Sequence, residues 1–439
     1  MRICITNIFM THGVTNETHI PFIEDAQIHV VENRIVYAGS KTDAPTFAAE
    51  QTIDGRGALA MPGLINMHTH TPMTLLRSVG SNLVLDQWLE KAIFPLEACL
   101  TDEAVRAGTD LGMLEMLRFG TTSFCDMYMR MDAVAEGVRD GGMRALLGHG
   151  IVDFDESCND LMPGVAFAEK WNGAENDRIR VSLAPHSEGA TTKALMRKME
   201  KYAASMNLPI HVHVSETKLD FDGCMKRHGM TPPAYLESLG VLEHPVIAAH
   251  CVWFTDEDIS IFAKRNATIV HNPISNLKLA SGIAPIQKML QEGCKVAIGT
   301  DSVASNNSLN LWEELKLMPL LQKGITLNPT VISPAQCLAA ATTVGAKAMG
   351  FQDLGLLREG YLADLILVAL HTPNMLPVHD MENNLVYAAQ GSDVMLTMVD
   401  GKVLYQDGIY KTMNKEAILE KAQQEALKLT QKAAGKTEE

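Results

Sequence analysis

The chain has no CxxC pair among its eight cysteines, no run of basic residues and no apolar stretch long enough to cross a bilayer. Without paired spacing the cysteines read as buried, reduced thiols, because several sit inside apolar strands, as Cys125 does in TTSFCDM and Cys251 in IAAHC. The missing basic stripe, with a net charge of −15, argues against nucleic acid and against an anionic membrane as partners. It says little about a small substrate, since one cleft can differ in sign from the whole surface. The N-terminal MRICITNIFMTHG alternates like a strand and carries neither the continuous apolar segment nor the small-residue cleavage site of a signal peptide, so a cytoplasmic setting is the expectation.

What is present is material for a large core, with 46% hydrophobic residues in 439. QIHVVENRIVYAG reads as a hairpin turning at Glu32-Asn33, and VMLTMVDGKVLYQDGIY as another turning at Asp400-Gly401. Between these ends, short apolar strands alternate with amphipathic helices. The strands are LAMPGLINMHTH, TTSFCDM, MRALLGHG, IRVSLAPH, PIHVHVSE, PVIAAHC, ATIVHNP and CKVAIGTD. The expected class is therefore α/β: a (β/α)8 TIM-like barrel with a small β-sandwich domain formed by the N- and C-terminal segments. The expected parts are a composite sandwich from 1–60 and 358–412, the barrel over 61–357, and a C-terminal helix and tail over 413–439.

Active sites of such barrels lie at the C-terminal ends of the strands. There the chain places His68 and His70, Asp126, His149, His186, His213 with Glu216, His250, His271 and Asp301. Residues two apart on a strand face one way, so His68 and His70 make one half of a divalent-metal site. His213 lies nearer its strand end than His211 and is the expected third ligand, with His211 a deeper core group. Asp301 completes the set or takes a proton from water, although an Asp there also suits a helix N-cap. Glu216 is placed to carry protons and His250 to hold a water, while His271 reads as a structural group making a hydrogen bond.

HTH, HVSE, AHC, HNPISNLKLASG and GTDSVASNNSLN together resemble the amidohydrolase superfamily and, within it, the 5'-methylthioadenosine/S-adenosylhomocysteine deaminases, over nearly the whole chain. The resemblance implies one zinc per subunit on His68, His70, His213 and Asp301, though iron or manganese also suits such donors. It adds Glu97, in IFPLEACL, as acceptor for ribose hydroxyls, and His186, in LAPHSEG, as a contact to purine or sugar. The implied reaction is hydrolytic deamination of a small nucleoside: Asp301 and His250 orient water, Glu216 protonates the ring nitrogen beside the amino-bearing carbon, and ammonia leaves. Where members that accept S-adenosylhomocysteine are expected to carry an arginine, this chain has His149, followed by the acidic loop DFDESCNDLMPG. Methylthioadenosine or adenosine then gains over the homocysteine adduct. A guanine- or triazine-type amino- or chlorohydrolase is the alternative on the same scaffold. A two-metal hydrolase lacks its bridging lysine, because the fourth strand ends in Pro185-His186. A homo-oligomer is compatible with the sequence and not specified by it.

Overall fold

A computed structural model describes residues 1–15, 19–155 and 157–436. Glu156 of the acidic loop and the last three residues of the expected tail lie outside them. Two eight-stranded sheets organise the chain. The first begins with β1 (Arg2–Thr11), β2 (Phe22–Val31), β3 (Arg34–Ser40) and β4 (Gln51–Pro62).

The second sheet is parallel throughout and runs in sequence order. Its strands are β5 (Leu64–Thr69), β6 (Thr121–Tyr128), β7 (Arg144–Ile151), β8 (Ile179–Pro185), β9 (Ile210–Val214), β10 (Val246–His250), β11 (Ala267–His271) and β12 (Lys295–Ile298). These are the eight expected strands, and they form a nearly closed barrel. Parallel strands need crossover helices on their outer face, so VIAAH and ATIVH are buried from end to end. The circle is drawn together where Asp301 N–H donates to the His68 carbonyl at 2.8 Å, linking the end of the last strand to the first.

Two of the helices that follow the strands start on reciprocal side-chain caps. Thr217 with Asp220 and Thr255 with Asp258 are reciprocal capping boxes. Thr217 follows Glu216 directly, so this cap fixes where the chain leaves β9.

The terminal segments meet in the first sheet, which β13 (Leu365–Val368), β14 (Val394–Val399), β15 (Lys402–Gln406) and β16 (Ile409–Tyr410) complete. It is one mixed sheet in the order β16-β15-β14-β13-β4-β1-β2-β3, with its own core of Ile3, Ile5, Ile28, Ile35, Leu365 and Leu396. β4 belongs to this sheet and passes into the barrel through Gly63, where a Cβ would lie 2.2 Å from the Thr122 methyl. The Asp400-Gly401 turn has φ of 52° and 72°, and a Cβ on Gly401 would stand 1.8 Å from the Glu32 carbonyl, so the tips of the two expected hairpins touch.

At the floor of the barrel Phe351 lies under the Arg180 guanidinium at 3.7 Å, with that of Arg144 at 5.0 Å. Arg144 crosses to the terminal sheet. Its Nε donates to Asp364 at 2.8 Å and its Nη2 to Asp364 at 3.1 Å and Asp400 at 3.2 Å, while the Asp400 N–H also donates to Asp364. All eight cysteines are buried free thiols, and among the described residues no helix is long and apolar enough to cross a membrane.

Arg144 and Asp364 are each only 1% exposed. Asp364→Ala should therefore leave a buried guanidinium short of its bidentate partner and cost about 3–5 kcal/mol in urea unfolding. Loss of the exposed Arg56–Asp407 pair should cost less than about 1 kcal/mol.

Candidate active site

At the C-terminal ends of the strands three histidines have one ring nitrogen tied and the other free. The His70 Nδ1–H donates to the Met127 carbonyl, and the His213 Nδ1–H donates to the His186 carbonyl at 2.7 Å. His68 Nδ1 meets His211 Nε2 at 2.9 Å, one layer deeper in the barrel. Each Nε2 is thereby left for the centre. His68 Nε2 lies 3.5 Å and His70 Nε2 3.2 Å from Asp301 Oδ1. Two overlapping sets hold donor atoms all within 4.8 Å of one another: His68 with His70 and Asp301, and His68 with His213 and His250.

The donor set fits a divalent transition metal. His68 Nε2 is fully buried and makes no hydrogen bond, a costly state for a polar nitrogen that a metal bond would relieve. Tying Nδ1 to a carbonyl or a second imidazole fixes the tautomer that offers Nε2. Asp301 is held as carefully. Ser302 N–H donates to its Oδ1 at 2.7 Å, and the Ser275 and Ser305 hydroxyls donate to its Oδ2 at 2.6 and 2.9 Å. Although burial disfavours its charge, contact with His68 and His70 keeps Asp301 well below the ordinary carboxylate range. His250, Cys251, Ser215 and Asp301 all adopt left-handed φ of 50–73°, a strain that survives only where surrounding contacts over-determine it.

Beside this cluster, Glu216 Oε2 lies 3.7 Å from His250 Nε2, whose other nitrogen is fixed on Asn276 Oδ1 at 2.8 Å. Burial pushes the Glu216 carboxyl up to about 7, the range in which it both gives and takes a proton near neutrality. Glu97, at the end of the short helix Phe94–Glu97, accepts a hydrogen bond from Tyr128 at 2.6 Å. His186 is exposed at the mouth, its ring 4.6 Å from that of His213.

Two expectations change. His149 stands on the face of β7 that carries Ala145 and Leu147 into the helical shell, and it packs near Gly164 with Asp132 and Asp160 as its charged neighbours. Strand alternation turns it away from the histidine cluster, and its neighbour Gly148 faces the barrel interior beside Ser182. His271 makes no hydrogen bond among the described residues. Both its ring nitrogens are buried without partners, and burial lowers its pKa to about 3, while Asn272 and Asn276 bond to His250 in its stead.

Of the residues that hold this cluster, Asp126 was named at its strand end without a role, and Glu314 was missed. Asp126 accepts from Thr69 Oγ1, Thr71 N–H and Thr71 Oγ1 at 2.7–2.9 Å and so frames His70. Glu314, fully buried, accepts from Ile274 N–H at 3.1 Å and from Asn306, joining the HNPISN and ASNNSLN stretches behind Asp301. Those two stretches were visible as motifs, but their shared target was not.

Comparison with known proteins follows the same lines. A model of the amidohydrolase family matches residues 59–404. A 5-methylthioadenosine/S-adenosylhomocysteine deaminase of Dictyoglomus turgidum is 40% identical over 435 residues, covering 98% of this chain and 100% of its own. A 5'-deoxyadenosine deaminase of Methanosarcina mazei is 41% identical over 410 residues, covering 93% and 94%. Among solved structures, an adenosine deaminase from Xanthomonas campestris with bound zinc superposes with a TM-score of 0.91 at 32% identity, covering 97% of this chain and 99% of its own.

Because His211 fixes His68 through a ring nitrogen, His211→Phe should lower divalent-metal affinity by about 10–100-fold in a chelator competition. His149→Ala should leave that affinity unchanged.

Proposed function

The chain belongs to the amidohydrolase family, and from that premise we propose that it is a hydrolytic deaminase of adenosine-type nucleosides with one zinc per subunit on His68, His70, His213 and Asp301. The observation that carries the reading is the convergence of three Nδ1-tied histidines and Asp301 beside a buried carboxyl, Glu216, whose pKa stands at about 7. The deaminase names of relatives about 40% identical over nearly the full chain support it, as does the zinc bound by the Xanthomonas neighbour. The eight buried free cysteines are consistent with a cytoplasmic setting.

A divalent metal held by His68, His70, His213 and Asp301 would supply the Lewis acidity that makes a water molecule easier to deprotonate near neutrality. The protein's own groups do the rest. Asp301, ionised by its histidine neighbours, takes the water proton and orients the water towards the ring carbon that bears the amino group. Glu216 donates to the adjacent ring nitrogen, which makes that carbon electrophilic; the proton held by Asp301 then goes to the amino group, which leaves as ammonia, and Glu216 regains its own from the hydroxyl on that carbon as the carbonyl forms. His250, held by Asn276, steadies the water and the charge that develops on it. Glu97 accepts from the ribose hydroxyls, and His186 forms the wall of the mouth that faces purine or sugar.

Substrate preference within this class rests on the loop after β7. No arginine stands at the end of that strand, and the loop contributes Asp153, Asp155 and Asp160. A carboxylate-bearing 5'-tail meets negative charge there and finds no bidentate partner. Since His149 turns into the helical shell, the preference depends on the acids of the loop.

Glu216→Gln should cut turnover by about 10²–10⁴-fold with metal content unchanged, measured by purine absorbance and metal analysis side by side. Near-normal turnover would remove Glu216 from the proton path. On a panel of methylthioadenosine, adenosine and S-adenosylhomocysteine, the last should be the poorest substrate. Equal or better rates on it would overturn the tail argument and leave the deaminase reading standing.

A further inference from the structure

The helix Lys218–His228 begins two residues after Glu216 and buries one side chain, Cys224. Leu219 and Met225 on it are exposed, so no apolar face presses it against the barrel. Its place is therefore set at its two ends. At the first, Thr217 and Asp220 cap each other and tie the opening turn to the residue that follows Glu216. Asp220 lies close enough there for its charge to bear on both Glu216 and His186.

Eleven residues of helix carry the chain about 16 Å to the other end. There the last turn closes on Glu188, two residues past His186 and only 7% exposed. Arg227 Nε donates to Glu188 Oε1 at 3.1 Å, Arg227 Nη2 to Oε2 at 2.6 Å, and His228 Nε2–H to Oε1 at 2.8 Å. The His228 ring stacks on Tyr235 at 3.9 Å, and the Cys224 thiol lies beside the same carboxylate. Two glycines leave room for the guanidinium: a Cβ on Gly223 would stand 3.0 Å from Nη1, and one on Gly189 3.4 Å from Nη2. A buried carboxylate gripped by both arms of a guanidinium is a stiff anchor. The loop that carries it is itself fixed, since His186 N–H donates to the Ile151 carbonyl at 2.9 Å and the His186 carbonyl accepts from His213 N–H at 3.0 Å.

We propose that Glu188 is a positioning residue for the proton carrier: through Arg227 and His228 it holds the helix Lys218–His228, and the helix holds Glu216 in place beside the donor cluster. The inference rests on the deaminase reading and adds to it a residue that acts on the reaction only through others. Backbone bonds to β7 and β9 keep His186 in place without the clamp, whereas Glu216 has the capped helix directly behind it. Releasing the clamp therefore slows the chemical step and spares substrate binding.

The test compares wild type, Glu188→Gln and Arg227→Gln in steady-state kinetics on methylthioadenosine and adenosine, with metal analysis and amide hydrogen exchange. Each variant should exchange faster over Lys218–His228 and lose about 10–100-fold in kcat, with KM and metal content within about twofold of wild type. The double variant should be no worse than either single one, because the clamp is released only once. Asp222→Asn removes an exposed carboxylate of the same helix, paired with Lys218, and should change none of these readings. A raised KM with kcat preserved, a metal loss that parallels the fall in kcat, unchanged kcat, or unchanged exchange each overturns the proposal. The Arg227 side chain is 47% exposed, so its variant gives the answer even where Glu188→Gln fails to fold. Wild type that deaminates neither nucleoside would instead sink the deaminase reading, and the exchange data would then decide the clamp by themselves.

Discussion

The hydrogen bond from Asp301 N–H to the His68 carbonyl joins the last barrel strand to the first, at the two residues whose side chains face each other across the site. Barrel closure and assembly of the donor cluster are consequently one event. The first strand brings His68 and His70 and the last brings Asp301, so the set of those three donors exists only where these ends meet. Because the closing contact is a backbone bond, its geometry does not depend on side-chain packing around it. The side chains need only be aimed, and the surrounding network does that. The His211 ring aims His68, two backbone carbonyls aim His70 and His213, and Ser275, Ser302 and Ser305 aim Asp301.

That aim has an energetic cost, visible in the left-handed backbone at Ser215, His250, Cys251 and Asp301. Each non-glycine residue in such a conformation gives up about 1–3 kcal/mol. The conformations persist because cross-strand bonds leave them no alternative: Cys251 N–H reaches the Val214 carbonyl at 3.0 Å, Trp253 N–H that of Ser215 at 3.0 Å, and Asp301 N–H that of His68. The desolvated polar groups are a second cost. His68 Nε2 and both nitrogens of His271 are buried without hydrogen bonds, and Glu216 and Glu314 are carboxyls whose pKa values burial raises. A barrel selected for stability alone would fill these positions with Val and Ile. These particular groups lie at or beside the donor cluster, where chemistry supplies a reason for them.

Strand periodicity explains how much of this was legible in the sequence. Two histidines at i and i+2, an apolar run ahead of them and a carboxylate ending the last strand require only local spacing to interpret, so the eight strands and the gathering of His68, His70, His213 and Asp301 at one end of the barrel were readable. His149 shows the limit of the same rule. A residue at a strand end faces inward or outward according to a parity that sequence alone does not reveal, and the inward position beside it belongs to Gly148. His271 shows another limit, because its expected hydrogen bond depended on partners that only the folded loop could specify. Supporting residues such as Ser275, Asp126 and Glu314 act across 26 to 57 residues of chain. No periodicity encodes such distances, and SNLKLASG and ASNNSLN stood out as motifs without disclosing that both converge on Asp301.

The two sides of the site are therefore built under different constraints. Groups on the metal side lie at or just past strand ends and are aimed by backbone carbonyls, by the His211 ring and by the serines that hold Asp301. Groups on the substrate side sit on irregular segments: Glu97 ends a four-residue helix, His186 is exposed at the mouth, and the acids after β7 lie in a loop. Two contacts tie the sides together: Tyr128, through its ring beside His70 and its hydroxyl on Glu97, and His186, whose carbonyl accepts from His213. Loops tolerate change because few buried contacts depend on them. One barrel can then keep its donors and its proton carrier while its loops select among nucleosides that differ only at the 5'-position.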